Sequence, residues 1–170
     1  MMRMLRIVNR LHISRMISAR AATHPFMDYF KGLKNVEAVR RIFGEKTQEV
    51  LHNLKVEFTW LSGYMRVSNV DGHLIINSRY VNEGDRIDVY LDLIHELVHV
   101  KQFMEGKELF DSDYNYAERP TEVEAYRYAV EEARRMGLSD ERIYQYLKTE
   151  WMSNEDLKQL AKTLNVRCPH

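Results

Sequence analysis

Apolar positions change their period along this chain, and the changes divide it into elements. From residue 26 to 54 they recur at helical spacing, with Val36, Val39, Ile42 and Phe43 before Gly44, and Val50, Leu51 and Leu54 after it. Lys55 to Trp60, Tyr64 to Val70 and His73 to Val81 then read as strands, with Ser62-Gly63 and Asn69-Val70-Asp71-Gly72 as turns. Leu74 to Ser78, in the last strand, is expected to form the edge of a cleft. Helices are expected at 86–105, 121–136, 140–150 and 154–164. Asp85 and Ser153 are the candidate N-caps, and Gly106 and Gly137 the stops. A small sheet followed by helices predicts an α+β fold.

The stretch Ile87 to Met104 is apolar nearly all round, the pattern of a buried helix. Its polar residues fall on one stripe: Asp88, Asp92, His95, His99 and Gln102. Burying histidines and a carboxylate without partners is costly, and a bound cation resolves that cost. His95-Glu96-Leu97-Val98-His99 places two imidazoles at i and i+4 on one helical face, with a glutamate beside them. This HEXXH arrangement lets His95 and His99 bind one zinc ion while Glu96 reaches the metal's water.

Catalytic zinc commonly takes a third protein ligand and keeps one open position. Position 105 is Glu105, so a third histidine six residues after His99 is absent. The candidates lie in Arg119-Pro120-Thr121-Glu122-Val123-Glu124-Ala125-Tyr126. Pro120 suits a helix start, and Thr121 with Glu124 has the spacing of a capping box. Glu124 shares its stripe with Arg127, Glu131, Arg134 and Arg135, a solvated, salt-bridged face. Glu122 shares its stripe with Ala125, Tyr126, Ala129 and Ala133, whose small side chains allow close approach to the HEXXH helix. Glu122 is therefore the better ligand.

With these residues, about 73–135 of the chain resembles the gluzincin-type zincin metallopeptidases, small minimal-scaffold members most closely in size. In that group HEXXH on one helix is completed by a glutamate from a second, often as E-x-E-A, which Glu122-Val123-Glu124-Ala125 matches. The resemblance implies a zincin-like fold. A small antiparallel or mixed sheet would pack on the active-site helix and the glutamate helix, with extra helices at both ends. Many members carry an aspartate four residues after the glutamate ligand; this chain has Tyr126 there, so that orienting contact does not carry over. The implied activity is zinc-dependent hydrolysis of a peptide or protein, with Glu96 as general base. Tyr116, in the connection between the ligand-bearing helices, is a candidate oxyanion donor, with loop packing as the alternative. The competing class is a non-catalytic or regulatory zincin-like protein that binds a peptide or a DNA-associated partner. Glu96 separates the two, because a purely structural metal site does not need it.

Composition narrows the setting. One compact domain over 1–170 can bury a core without disulfides. A single cysteine, Cys168, suits a reducing cytoplasm. The apolar runs fall short of the ~20 residues of a membrane span. The zero net charge hides an asymmetry: residues 1–27 carry five arginines and no acid, leaving 20 basic and 25 acidic residues in the remainder. That segment reads as an ordinary helix or strand with exposed arginines, or else as a transit, nucleic-acid or membrane-surface segment. Regularly recurring arginines leave it no secretory apolar run. Within the C-terminal helices of 138–170, Ser153 to Val166 looks like the first half of a helix-turn-helix. No recognition helix follows it, so nucleic acid is not an expected partner. Cys168 and His170 are zinc ligands by chemistry. A tail able to cap the metal's open position is one reading of that end, a loose polar terminus the other. His12, His24, His52 and His73 lack ligand spacing.

Overall fold

The computed structural model describes residues 20–61 and 63–168. Most of the basic N-terminal segment, and with it His12, lies outside them, as does His170. The architecture is α+β with a mixed four-stranded sheet.

Strand β1 (Arg20–Pro25) leads into a one-turn helix α1 (Phe26–Tyr29), then α2 (Glu37–Phe43) and α3 (Thr47–Asn53). Between the last two, Gly44 takes φ +59, a left-handed conformation that ends α2 at the expected break. Strands β2 (Lys55–Thr59), β3 (Met65–Val67) and β4 (Leu74–Asn77) follow. Alternation puts Val56 and Phe58 of β2, Val67 of β3, and Leu74 and Ile76 of β4 into the core.

The sheet order is β1-β2-β4-β3, with β4 parallel to β2 and antiparallel to β3. This corrects the expectation for Leu74 to Ser78. The strand β4 is interior, its backbone engaged on both sides, and cannot offer an edge to a ligand. The edges are β1 and β3, and β3 is joined to β4 through the Asn69–Gly72 turn. The third strand is also shorter than the apolar run His73 to Val81 suggests. Asn77 caps a helix, its side chain accepting from the Arg79 and Tyr80 amides, so Ser78–Glu83 forms α4. Asn-capping there overrides the β-pattern of the residues that follow.

Asp85 caps α5 (Arg86–Met104), accepting from the Ile87 and Asp88 amides, and Gly106 (φ +74) follows its end. After a connection containing Tyr116, α6 spans Pro120–Arg135, with Pro120 in its first turn. Thr121 and Glu124 do not form a capping box. Arg119 is the N-cap and makes no side-chain cap bond, while Glu124 turns instead to Gln102, Lys101 and Lys107. Helices α7 (Asp140–Leu147) and α8 (Asn154–Thr163), each capped by a serine, close the described chain.

Helices α5 and α6 lie side by side. Ala125, Ala129 and Ala133 are fully buried, and their small side chains permit the approach. A buried polar clamp fastens the pair: the Tyr90 hydroxyl donates to Glu132 (2.5 Å), and Arg135 holds the same carboxylate with two bonds of 2.6 Å. A fully hydrogen-bonded carboxylate of this kind escapes the cost of an unpaired buried charge.

Candidate metal centre

The packing of α5 on α6 brings His95, His99 and Glu122 together, the three residues singled out by spacing and stripe. Each is 6% exposed or less. His95 Nε2 and His99 Nε2 are 2.9 Å apart, and Glu122 Oε2 lies 3.3 Å from the first and 3.5 Å from the second. Ligands held 2.0–2.1 Å from a tetrahedral zinc are about 3.3 Å from one another. The observed triangle brackets that value. This buried group could hold a metal ion.

Orphaned polar atoms point the same way. Glu122 Oε2 and Glu96 Oε2 are buried without a hydrogen-bond partner among the described residues. Burial opposes a charge on Glu122, yet the two histidines hold its carboxyl well below the usual range. Burial likewise opposes a charge on His99, but the carboxylates of Glu122 and Glu96 override it and raise His99 to about 9. His95 moves the other way, pushed down by burial and by His99. A proton on His99 therefore does electrostatically what a cation between the three groups does better.

Gln102, one turn beyond His99 and fully buried, is a residue whose role the sequence reading left open. Its Oε1 lies 2.7 Å from His99 Nδ1, and its amide nitrogen donates to the Thr121 carbonyl (3.0 Å) and to Glu124 (2.9 Å). Two acceptors for its N–H groups leave the oxygen facing the ring, so His99 holds a proton on Nδ1, and Nε2, facing the cluster, is the nitrogen that would bind a metal on giving up its own proton. The signal was a glutamine among apolar neighbours on the histidine stripe. Glu124 is thus not a ligand but a brace, in contact with Lys101 and Lys107 as well.

His95 has no such support, since its Nδ1 is buried without a partner among the described residues. Tyr126 occupies the space, its ring packed edge-on at 4.4 Å, and its hydroxyl bonds to that of Tyr116 (3.0 Å).

A cleft of about 170 Å³ opens beside the cluster, with His95, Glu96, Tyr116 and Tyr126 in its wall. Burial pushes Glu96 up to about 8, with Glu122 and Asp92 adding to the shift against His99. Burial also keeps the Tyr116 hydroxyl protonated, its pKa well above the ordinary value. Met65 brings edge strand β3 to the same cleft. The Asn77 N–H to Tyr64 bond and the Ser68 N–H to His73 bond fix the alternation, so Met65 and Val67 direct their backbone groups away from β4.

The remaining candidates lie elsewhere. His24 packs edge-on to Tyr29, and His52 is exposed on α3. His73 Nδ1 pairs with Asp71 (2.5 Å). Cys168 is exposed. No helix among the described residues is long and apolar enough to cross a membrane. Comparison with protein-family models, curated proteins and solved structures finds no match to this chain.

Proposed function

We propose that the chain is a zinc-dependent metallopeptidase of the gluzincin-type zincin group, with His95, His99 and Glu122 as ligands. Three ligand atoms at tetrahedral spacing beside an unpartnered, buried Glu96 carry this reading. Zinc bound there would supply a Lewis acid for a peptide carbonyl and lower the pKa of water from 15.7 to about 7. Glu96 takes the proton of the attacking water and returns it to the leaving amine. Its burial among the cluster favours a proton on the carboxyl, and a cation bound beside it would favour the charged form, so the group suits taking up and giving back a proton. Tyr116, kept neutral by burial, donates toward the oxygen on which charge develops. The open backbone of β3 accepts an extended peptide as an added strand, which makes peptide or protein the substrate class.

Glu96→Gln tests the reading. The variant should retain native zinc content by metal analysis and lose peptidase activity by about 10² to 10⁴. Undiminished cleavage by the zinc-loaded variant would exclude Glu96 as the base. Equal zinc content in native and His99→Ala protein would exclude the ligand set.

A further inference from the structure

One turn before His95 on the same face of α5, Asp92 enters the cleft that holds His95 and Glu96. Its carboxylate accepts from the Tyr80 hydroxyl (2.5 Å) and, among the described residues, has no salt-bridge partner. The neighbouring acids differ: Asp88 and Asp85 are both engaged by Arg142, at 2.5 and 3.1 Å. Lys148 also lines the cleft but is exposed and makes no ion pair with Asp92. Asp92 is thus an acid without a counter-ion, facing a cavity from a largely apolar helix. Burial raises it to about 6.

A second group, on a different helix, is also incomplete. Tyr146 of α7 is 7% exposed and lines the same cleft, and its buried hydroxyl lies beside the Asp92 carboxylate without completing a hydrogen bond of standard geometry among the described residues. Burial raises its pKa well above the ordinary value, and the nearby Asp92 carboxylate adds to the shift. Around them, Tyr64 packs against Tyr80 (ring centroids 4.5 Å apart) and Trp151 (5.5 Å). All three rings line the cleft, and Trp151 is 53% exposed. A carboxylate lacking a cation, a neighbouring hydroxyl whose oxygen accepts from no donor among the described residues, and a wall of aromatic faces are together complementary to an ammonium or guanidinium group. An apolar side chain would leave Asp92 desolvated without a counter-ion, and an acidic one would be repelled.

We propose that Asp92, Tyr146 and the Tyr64–Tyr80–Trp151 aromatic wall form a subsite for a cationic group of the substrate, next to the bond to be cleaved. The placement next to that bond rests on the metallopeptidase reading; the affinity for a cation does not. Three residues, about 4.5 Å of helical rise, separate Asp92 from His95 along α5, which is within reach of the side chain flanking a carbonyl held at the metal. A lysine or arginine side chain and a free peptide N-terminus offer the same chemistry, and they are separable by experiment.

The test uses the full chain and a peptide series that varies one position among lysine, norleucine and glutamate, each with a free and an acetylated N-terminus. Binding is measured by calorimetry and cleavage by mass spectrometry. Lysine should bind at least 10-fold more tightly than norleucine, and glutamate should bind weakest. In Asp92→Asn the lysine-to-norleucine ratio should fall to about one, with thermal unfolding verifying the fold. A lysine-to-norleucine difference in the acetylated peptides assigns the subsite to the side chain, whereas equal binding of lysine and norleucine with at least 10-fold weakening of both on acetylation assigns it to the N-terminus. Equal affinity of the native protein for lysine and norleucine peptides, and for free and acetylated ones, overturns the proposal without any variant. Retained binding selectivity with no cleavage of any peptide supports the subsite and counts against the peptidase reading alone.

Discussion

At the residue scale, the candidate cluster depends on groups outside the His95–His99–Glu122 triangle. Gln102 sets which nitrogen of His99 faces Glu122, and it spans α5 and α6 through Thr121 and Glu124. Gln102→Leu should weaken zinc binding by about 10- to 100-fold, the usual cost of losing the partner that orients a histidine ligand. Competition against a chelator of known affinity measures it. Gln102→Glu, which keeps an acceptor for His99, should recover much of the loss, and equal weakening by both variants would deny the orienting role. His95, His99 and Glu96 were legible because i and i+4 spacing has a direct geometric meaning on a helix. Glu122 was legible through its alanine stripe. Gln102 and Asp92 were visible as polar intruders on α5, but their partners come from α6, α4 and α7. Contacts between distant segments leave no trace in local spacing.

At the element scale, the helices were easier to read than the strands. The ends of α5 and the cap of α8 follow from Asp85, Gly106 and Ser153, which act within a few residues. Strand order has no such local cause. Apolar alternation in Leu74–Asn77 suits an interior or an edge strand equally, and only the insertion of β4 between β2 and β3 decides between them. The edge open to strand addition beside the cleft is therefore β3, and proline separates the two strands. Met65→Pro removes an N–H that β4 does not use, so the fold should persist, as proline is tolerated on edges. Under the metallopeptidase reading, KM for peptides should rise several-fold. Ile75→Pro, in the interior strand, should instead lower the melting temperature sharply. Unchanged peptide kinetics in a folded Met65→Pro protein would rule out strand addition at this edge. Gly72 makes a further test of how the β3–β4 turn sits on α5. It has φ +75, and a Cβ there would come 2.5 Å from the Phe103 ring, so Gly72→Ala should be destabilising by thermal melting.

At the scale of the whole molecule, the α5–α6 pair is both the core and the holder of the cluster, so metal binding and folding stability are linked. A ligand present at 100 times its Kd adds about 2.7 kcal/mol. In a protein of 150–250 residues each kcal/mol moves the melting temperature by about 2–4 °C. Chelation should therefore lower the melting temperature by about 5–10 °C in native protein and leave His99→Ala unmoved. The effect should also depend on pH, in a direction set by the metal-free cluster. His99 is raised from 6.5 to about 9 and Glu96 from 4.5 to about 8. Both bind protons more tightly when folded, so their contribution is complete below the unfolded values and is lost as pH rises through about 8 to 9. Metal and proton compete for His99, so metal binding strengthens over the same interval. The metal-free protein should thus lose stability between pH 7 and 9 while the loaded protein is held, and the gap between their melting temperatures should widen. Thermal unfolding with and without chelator at pH 6.5, 7.5 and 8.5 measures it. A gap that narrows as pH rises would mean that the cluster is not the place where the metal binds.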